Sequence, residues 1–422
     1  MNLIETKSTL HFFVKSNPTI DLIIPVWSSR KAHPLTSRIS FVYYRETNGN
    51  DGIINFNHID AKKIDKFDLN IFITDTTKVL GSRYISKLGL DYEWVYFESY
   101  GKPFVFDEFV ESVYRGYRID FKELNDCVPL MKWYGILKTI PTINHINDWD
   151  VNYSSAIRTL GRLEGAGVKV EEEKFIDSFN FDASYLKRGL VYTQYNPYTI
   201  TGRPSNRHLN VNYSALNKSD GSRECFVSRN PNGTLLQFDY ESYHLRLIAG
   251  LIGYKLPTNI SAHQYFADIY GTDYETSKGI TFRYLYGGLD DTARRIPFFQ
   301  KVDEYIKSVY QKFVISGRLT TPLYKREIHF SRIEGATEQK VFNYLLQALE
   351  TEVNYMKMKS IFDCFEGKMS KPILYTYDAF LIDLHPIERD VIISSVKEAM
   401  EMGGFPVKVE EGTNYGNLVG ID

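Results

Sequence analysis

Apolar and polar positions change period several times along the chain. In the first 125 residues the runs TLHFFV, IDLIIPVW, ISFVYY and GIINF are short, β-rich and parted by turn residues such as NGNDG, which predicts a strand-rich α/β region. Helical spacing appears around 105–118. The segment DCVPLMKWYGILKTIPTINHINDWD, with two prolines and several Asn and Asp, reads as a connector. Beyond it Ile157, Leu160 and Leu163 recur at helix spacing, and Gly165 and Gly167 close that helix. LVYTQYNPYTITGRPSN reads as an alternating strand running into a turn. The stretch LLQFDYESYHLRLIAG changes period in its middle: strand-like up to Phe238, then helical through Tyr243, Leu247, Ile248 and Leu251, with Asp239 at the switch. Further helices follow, and KPILYTYDAFLIDL predicts two strands around a turn.

At 422 residues the chain suits two or three domains. Its 31 Tyr and 27 Phe are many, but core packing accounts for aromatics before base stacking does. A net charge of −2 gives no overall basic field. A nucleic-acid partner then needs a local groove of Lys and Arg. Cys127, Cys225 and Cys364 lie far apart without metal spacing, as buried thiols in a reducing compartment would. With no signal peptide at MNLIETKSTL and no apolar run of membrane-spanning length, the expectation is a soluble, cytoplasmic protein without a membrane partner.

Chemistry concentrates in three places. Asp239 ends one buried strand and Asp378 lies between two others in YTYDAFLID. Two carboxylates on a rigid sheet can share a pair of Mg²⁺ ions that clamp an in-line phosphoryl displacement, although each alone is more often a turn former. In SKGITFRYLYGG, Lys278, Phe282 and Tyr286 fall at i, i+4 and i+8 of a helix that Asp273 can cap. Such a stripe suits a triphosphate, a sugar and a base in succession, where the plainer reading is a core face with a snorkelling lysine.

FDYESYHLRLIAGL, K-x-x-x-F-x-x-x-Y-G and YDAFLID, in that order, resemble motifs A, B and C of the family A (DNA polymerase I type) DNA polymerases. TGRPSN with the following HLNVN resembles the family's TGRLSS…NLQN segment. Arg223 and Phe226 match its R-x-x-F, Asn343 and Gln347 its N-x-x-x-Q helix, and GTNYG its final G-x-N-W. Seven matches in order over 193–422 are a specific signal.

The resemblance implies an α+β right-hand polymerase, with palm and fingers over 193–422 and a connector with a reduced thumb over 126–192. It implies template-directed DNA synthesis from a primer 3′-hydroxyl and dNTPs by a nucleotidyltransferase using two Mg²⁺ ions, with Mn²⁺ as a substitute. Asp239, Asp378 and the Tyr240 carbonyl would hold the metals. Lys278 would neutralise phosphate charge, Phe282 pack on the deoxyribose and Tyr286 stack near the templating position. Arg203, Arg223, Asn343, Gln347 and Tyr377 would contact primer–template DNA. A monomer is expected, of phage or viral origin by its compactness, with a processivity or replisome factor as an open partner.

The sequence departs from the family at several of these positions. Tyr274 stands where an arginine is usual, leaving His263 or the Arg294–Arg295 pair to supply the missing charge. Ala379 replaces the second acid of motif C. His244 replaces the motif A glutamate that blocks a ribose 2′-hydroxyl, so ribonucleotide exclusion should persist in altered strength through a bond to Tyr286. Phe282, lacking a phenol hydroxyl, predicts poor use of dideoxynucleotides. The stretch from 168 to 200 is short where the family has a long thumb, which predicts low processivity. Residues 1–125 stand where relatives carry a 3′–5′ exonuclease of RNase H-like fold. The expected acid pair is Val26-Trp27-Ser28, and Asp75 is isolated, so a degenerate domain without proofreading is expected. The competing readings are a single-subunit RNA polymerase and a catalytically dead DNA-binding scaffold.

Overall fold

The computed structural model describes residues 1–16, 18–27, 39–56, 85–86, 89–113, 127–209 and 211–421; Asp75 lies outside them. The chain divides into two compact units. Met1–Gly167, Asp182–Tyr198 and His208–Asn210 form the first; Val168–Phe181, Thr199–Arg207 and Val211–Asp422 form the second.

In the first unit, β1 (Asn2–Ile4), β2 (Ile20–Trp27), β3 (Ile39–Glu46), β4 (Asp51–Asn55) and β5 (Ile85–Ser86) make one sheet in the order β1-β4-β3-β2-β5. Three of the predicted strands form its antiparallel meander. β1 joins parallel to β4, so close that a Cβ on Gly52 would fall 2.1 Å from the Asn2 carbonyl oxygen.

TLHFFV, expected as a strand, instead lies in helix α1 (Lys7–Lys15). Leu10 and Phe13 are buried one turn apart while Phe12 faces solvent, and the Thr6 hydroxyl accepts from the Thr9 amide at the helix start. After α2 (Tyr92–Tyr100) and α3 (Phe106–Val113), which meets the predicted helical spacing, the expected connector begins as helix α4 (Cys127–Leu137). Pro129 sits in its first turn, where no backbone donor is needed, and Leu130, Trp133, Ile136 and Leu137 are buried at helical spacing. Helix α5 (Asp148–Ala166) ends at Gly167, φ 64°, as its glycines predict, but starts earlier than its apolar positions suggest. The strand read over LVYTQYNPY shrinks to Leu190–Val191 and Tyr195–Asn196. The Tyr195 amide donates to the Glu164 carboxylate on α5 at 2.7 Å, tying this backbone to a side chain.

The second unit is built on a five-stranded antiparallel sheet. Its strands β6 (Thr234–Tyr240), β7 (Lys371–Thr376), β8 (Ala379–Leu384), β9 (Val407–Gly412) and β10 (Val419–Gly420) run in the order β7-β8-β6-β9-β10. β6 is central because Leu235, Leu236 and Phe238 are fully buried, and neighbours on both sides satisfy its backbone. Helices α6 (Tyr243–Leu251), α7 (Ala262–Tyr270), α8 (Tyr274–Gly287), α9 (Pro297–Ser316), α10 (Glu338–Asp363) and α11 (Arg389–Glu401) complete the unit. The 26-residue α10 packs against α6, α9 and α11, and its buried residues recur around most of its circumference, as in a central helix. The molecule is thus mixed α+β. Among the described residues, no helix is long and apolar enough to cross a membrane.

Candidate active site

The sheet brings the two aspartates together. Asp239, at the end of β6, pairs in register with Ala379 on β8 and with Lys408 on β9. Asp378 occupies the two-residue turn of the β7–β8 hairpin, and its carbonyl accepts the Tyr240 amide at 3.1 Å. The other turn residue, Tyr377, has φ 70°, a left-handed conformation that is strained for a tyrosine. Three contacts hold it. Asn354 Nδ2 donates to its carbonyl at 2.6 Å, its hydroxyl bonds Ser214 Oγ at 3.2 Å, and the Arg203 guanidinium lies 3.7 Å from its ring centroid.

The strand-to-helix switch is equally specific. Ser242, φ 51°, turns β6 into α6. Beside it Glu241 is buried, and its carboxylate accepts from Ser261 Oγ at 2.5 Å and the Ala262 amide at 3.2 Å, while Arg246 pairs with it at 2.5 Å. Burial alone would raise this carboxyl, but the hydroxyls and the guanidinium outweigh it and keep it ionised. Glu241 thereby fixes the start of α7, and Ser277 Oγ donates to the His263 carbonyl to fix α8 on α7.

Asp273 caps α8, its carboxylate accepting the Thr276 amide at 3.0 Å. Thr281, Tyr284 and Leu285 form the buried face of this helix. Phe282 and Tyr286 are 39% and 37% exposed, so the stripe they form with Lys278 is not core. It faces a cleft of about 460 Å³ floored by Asp239 and Asp378. Tyr240, His244, His263, Arg203, Arg223 and Tyr377 also line this cleft. Asn343 and Gln347 lie on α10 and do not line it, and neither does the Arg294–Arg295 pair; Arg294 is instead engaged by Asp291 and Asp303.

The electrostatics are those of a crowded acid pair. Burial, then the Asp378 charge, pushes the Asp239 carboxyl up to about 7. Asp378 opens onto the cleft yet is ringed by protein, and burial followed by the Glu350 charge raises it too. Two carboxylates that resist ionisation side by side are a hard-oxygen donor set whose strain a divalent cation relieves. Among the described residues no three His, Cys, Asp or Glu side chains form a ready metal cage, so the fit rests on this pair and neighbouring oxygens such as the Tyr240 carbonyl.

His263 is lowered to about 4 by burial, with Lys278 and Lys408 adding to the shift against the opposing pull of Glu241. It is neutral near pH 7 and packs edge-on to Tyr274 and Phe282, so it brings a ring rather than the charge missing at Tyr274. Three cations do line the cleft beside Lys278 and Arg203, namely Lys218, Arg223 and Lys408. Lys218 and Lys408 were not foreseen from sequence, nor were Glu350 and Asn354. The last two continue the Asn343, Gln347 spacing down one face of α10 at i+7 and i+11, a signal the sequence did carry. Arg223 is stacked on Tyr415 at 4.5 Å, joining the R-x-x-F segment to GTNYG.

No protein-family model and no curated protein matches the chain by sequence. Among solved structures, the polymerase domain of Pol1 from M. smegmatis, in complex with DNA primer-template and dNTP, aligns with a TM-score of 0.68 at 14% identity. The alignment covers 98% of this chain and 99% of that one. At that identity the likeness speaks to architecture: the chain has the fold of a DNA polymerase I polymerase domain.

Proposed function

We propose that the protein is a template-directed DNA polymerase that extends a primer 3′-hydroxyl with dNTPs. The observation that carries this is the opposition, across one cleft, of the Asp239–Asp378 pair and the exposed Lys278–Phe282–Tyr286 face of α8. The 3′-hydroxyl gives up its proton to solvent, its oxygen bonds to the α-phosphorus of the incoming nucleotide, the α–β phosphoanhydride bond breaks, and pyrophosphate leaves carrying the electron pair. Divalent cations, Mg²⁺ or Mn²⁺, held by Asp239, Asp378 and the Tyr240 carbonyl would supply Lewis-acid stabilisation of the entering and leaving oxygens. Lys278 and Lys408 offset triphosphate charge, the second in place of the arginine that Tyr274 replaces. Phe282 presents an apolar face to the sugar, with His263 packed behind it, and Tyr286 a ring to the base. Arg203, Arg223 and Tyr377 take the primer–template beside the cleft, and Asn343 and Gln347 follow it along α10.

In this reading 193–422 is palm and fingers, 126–192 a connector and short thumb, and 1–125 a structural domain without proofreading. The short thumb neutralises few phosphates, so purified protein should dissociate often. Compactness favours a phage or viral replication setting. Offering dNTPs and rNTPs separately on one primed template tests the reading. Extension with dNTPs is expected, whereas preferential rNTP use would replace it with an RNA polymerase, and no product with either would leave a DNA-binding scaffold.

A further inference from the structure

Glu350 is an acid that the proposed reaction does not require, buried on α10 with 2% of its surface exposed. Arg203 pairs with its carboxylate: Nη2 donates to Oε1 at 3.3 Å, and Nε lies 3.0 Å from Oε2 as an ion pair without hydrogen-bond alignment. The same Oε2 lies 3.4 Å from Nε2 of His244, and Nδ1 of that imidazole is hydrogen-bonded to the Tyr286 hydroxyl. Burial, then the Glu350 charge, holds the Tyr286 hydroxyl protonated, so it can donate to Nδ1. In that arrangement the Nε2 side of the ring faces Glu350. Removing a carboxylate from water is costly unless its partners are well placed. An apolar residue would serve helix packing alone, so the acid's value lies in what it holds.

We propose that Glu350 is a positioning residue for sugar selection: it fixes the tautomer and ring orientation of His244, and through it the place of Tyr286, and ties both to Arg203. This rests on the polymerase reading. A nucleotide with its α-phosphate at Asp239 and Asp378 and its base towards Tyr286 turns its 2′ edge to the His244–Tyr286 pair. Acid and imidazole come from α10 and α6, the phenol from α8, so one carboxylate couples the primer side of the cleft to its nucleotide side.

The test is single-nucleotide insertion by the full chain, with kcat and KM for dCTP and CTP opposite the same template base. Wild type is compared with Glu350→Gln, which keeps an acceptor for Nε2, with Glu350→Asp, which withdraws it, and with Glu350→Ala. The expected result is a loss of dCTP-over-CTP discrimination of about ten- to hundredfold in Glu350→Ala, a smaller loss in Glu350→Asp and near-retention in Glu350→Gln. Equal falls for both nucleotides, with the ratio unchanged, would overturn the proposal; if Glu350→Ala does not fold, the Glu350→Asp ratio decides by the same criterion. Wild type inserting neither nucleotide would refute the polymerase reading and this proposal with it. Insertion of dCTP with ratios unmoved would refute the role of Glu350 alone.

Discussion

The Tyr286 hydroxyl is hydrogen-bonded to Nδ1 of His244, joining the helix that follows the first aspartate to the helix that carries the aromatic stripe. A ribose 2′-hydroxyl entering the proposed sugar site would have to crowd this pair. Truncation in His244→Ala removes both the bulk and the hydrogen-bond partner of Tyr286. It should raise CTP insertion relative to dCTP by about ten- to hundredfold, read from kcat/KM ratios, and an unmoved ratio would mean that sugar choice is made elsewhere.

The raised carboxyl of Asp239 predicts a pH-dependent cost in metal-free protein. Its value of about 7 in the fold exceeds the usual aspartate value of about 4 in an unfolded chain. Between those values the native state holds a proton that the unfolded state has lost, so this group's contribution to stability is fully present below about pH 4 and is lost as pH rises through about 7. Without divalent metal at pH 8, Asp239→Asn should therefore melt a few degrees above wild type, with the gap closing towards pH 4. Added Mg²⁺ should raise the wild-type Tm more than that of the variant. A variant that melts below wild type at pH 8 would contradict the crowded-acid picture.

Lys408 stands opposite Asp239 in the strand register and its side chain is exposed to the cleft. As an exposed residue it should contribute little to stability. Lys408→Ala should raise the KM for dNTP about tenfold, the loss of one modest charge-assisted contact, while Tm stays within a degree or two. Lys408→Arg should restore most of the affinity. Steady-state insertion kinetics with a thermal melt on the same samples check both halves of the statement.

Much of the site could be read from the chain because its key residues mark local changes of period. Asp239 sits where a two-residue repeat gives way to a helical one, Asp378 in the turn between two apolar strands, and Lys278, Phe282 and Tyr286 on one helical line. Their exposure shows that the stripe is not core, which periodicity alone could not tell, since buried and exposed stripes have the same spacing. Lys408 was hidden because its place beside Asp239 depends on how β9 pairs with β6, a contact between segments far apart in sequence. Glu350 was hidden differently: it extends the Asn343–Gln347 line, but a buried acid on a long helix announces its partners only once Arg203 and His244 are brought to it. The two misread elements, TLHFFV and Cys127–Leu137, are short apolar runs. For the first, read as a strand, the choice turns on a cap at Thr6; the second, read as part of a connector, is helical because its proline is tolerated in a first helical turn.

If the Asp239–Asp378 pair drives nucleotidyl transfer, primer extension must depend on Asp378. A labelled primer on a longer template, with four dNTPs and Mg²⁺ or Mn²⁺, should be lengthened by wild type in short bursts. Asp378→Ala should lower kcat by at least about a thousandfold while its Tm stays at or above that of wild type. Undiminished extension by a folded Asp378→Ala, or none by wild type with either metal, would contradict the account.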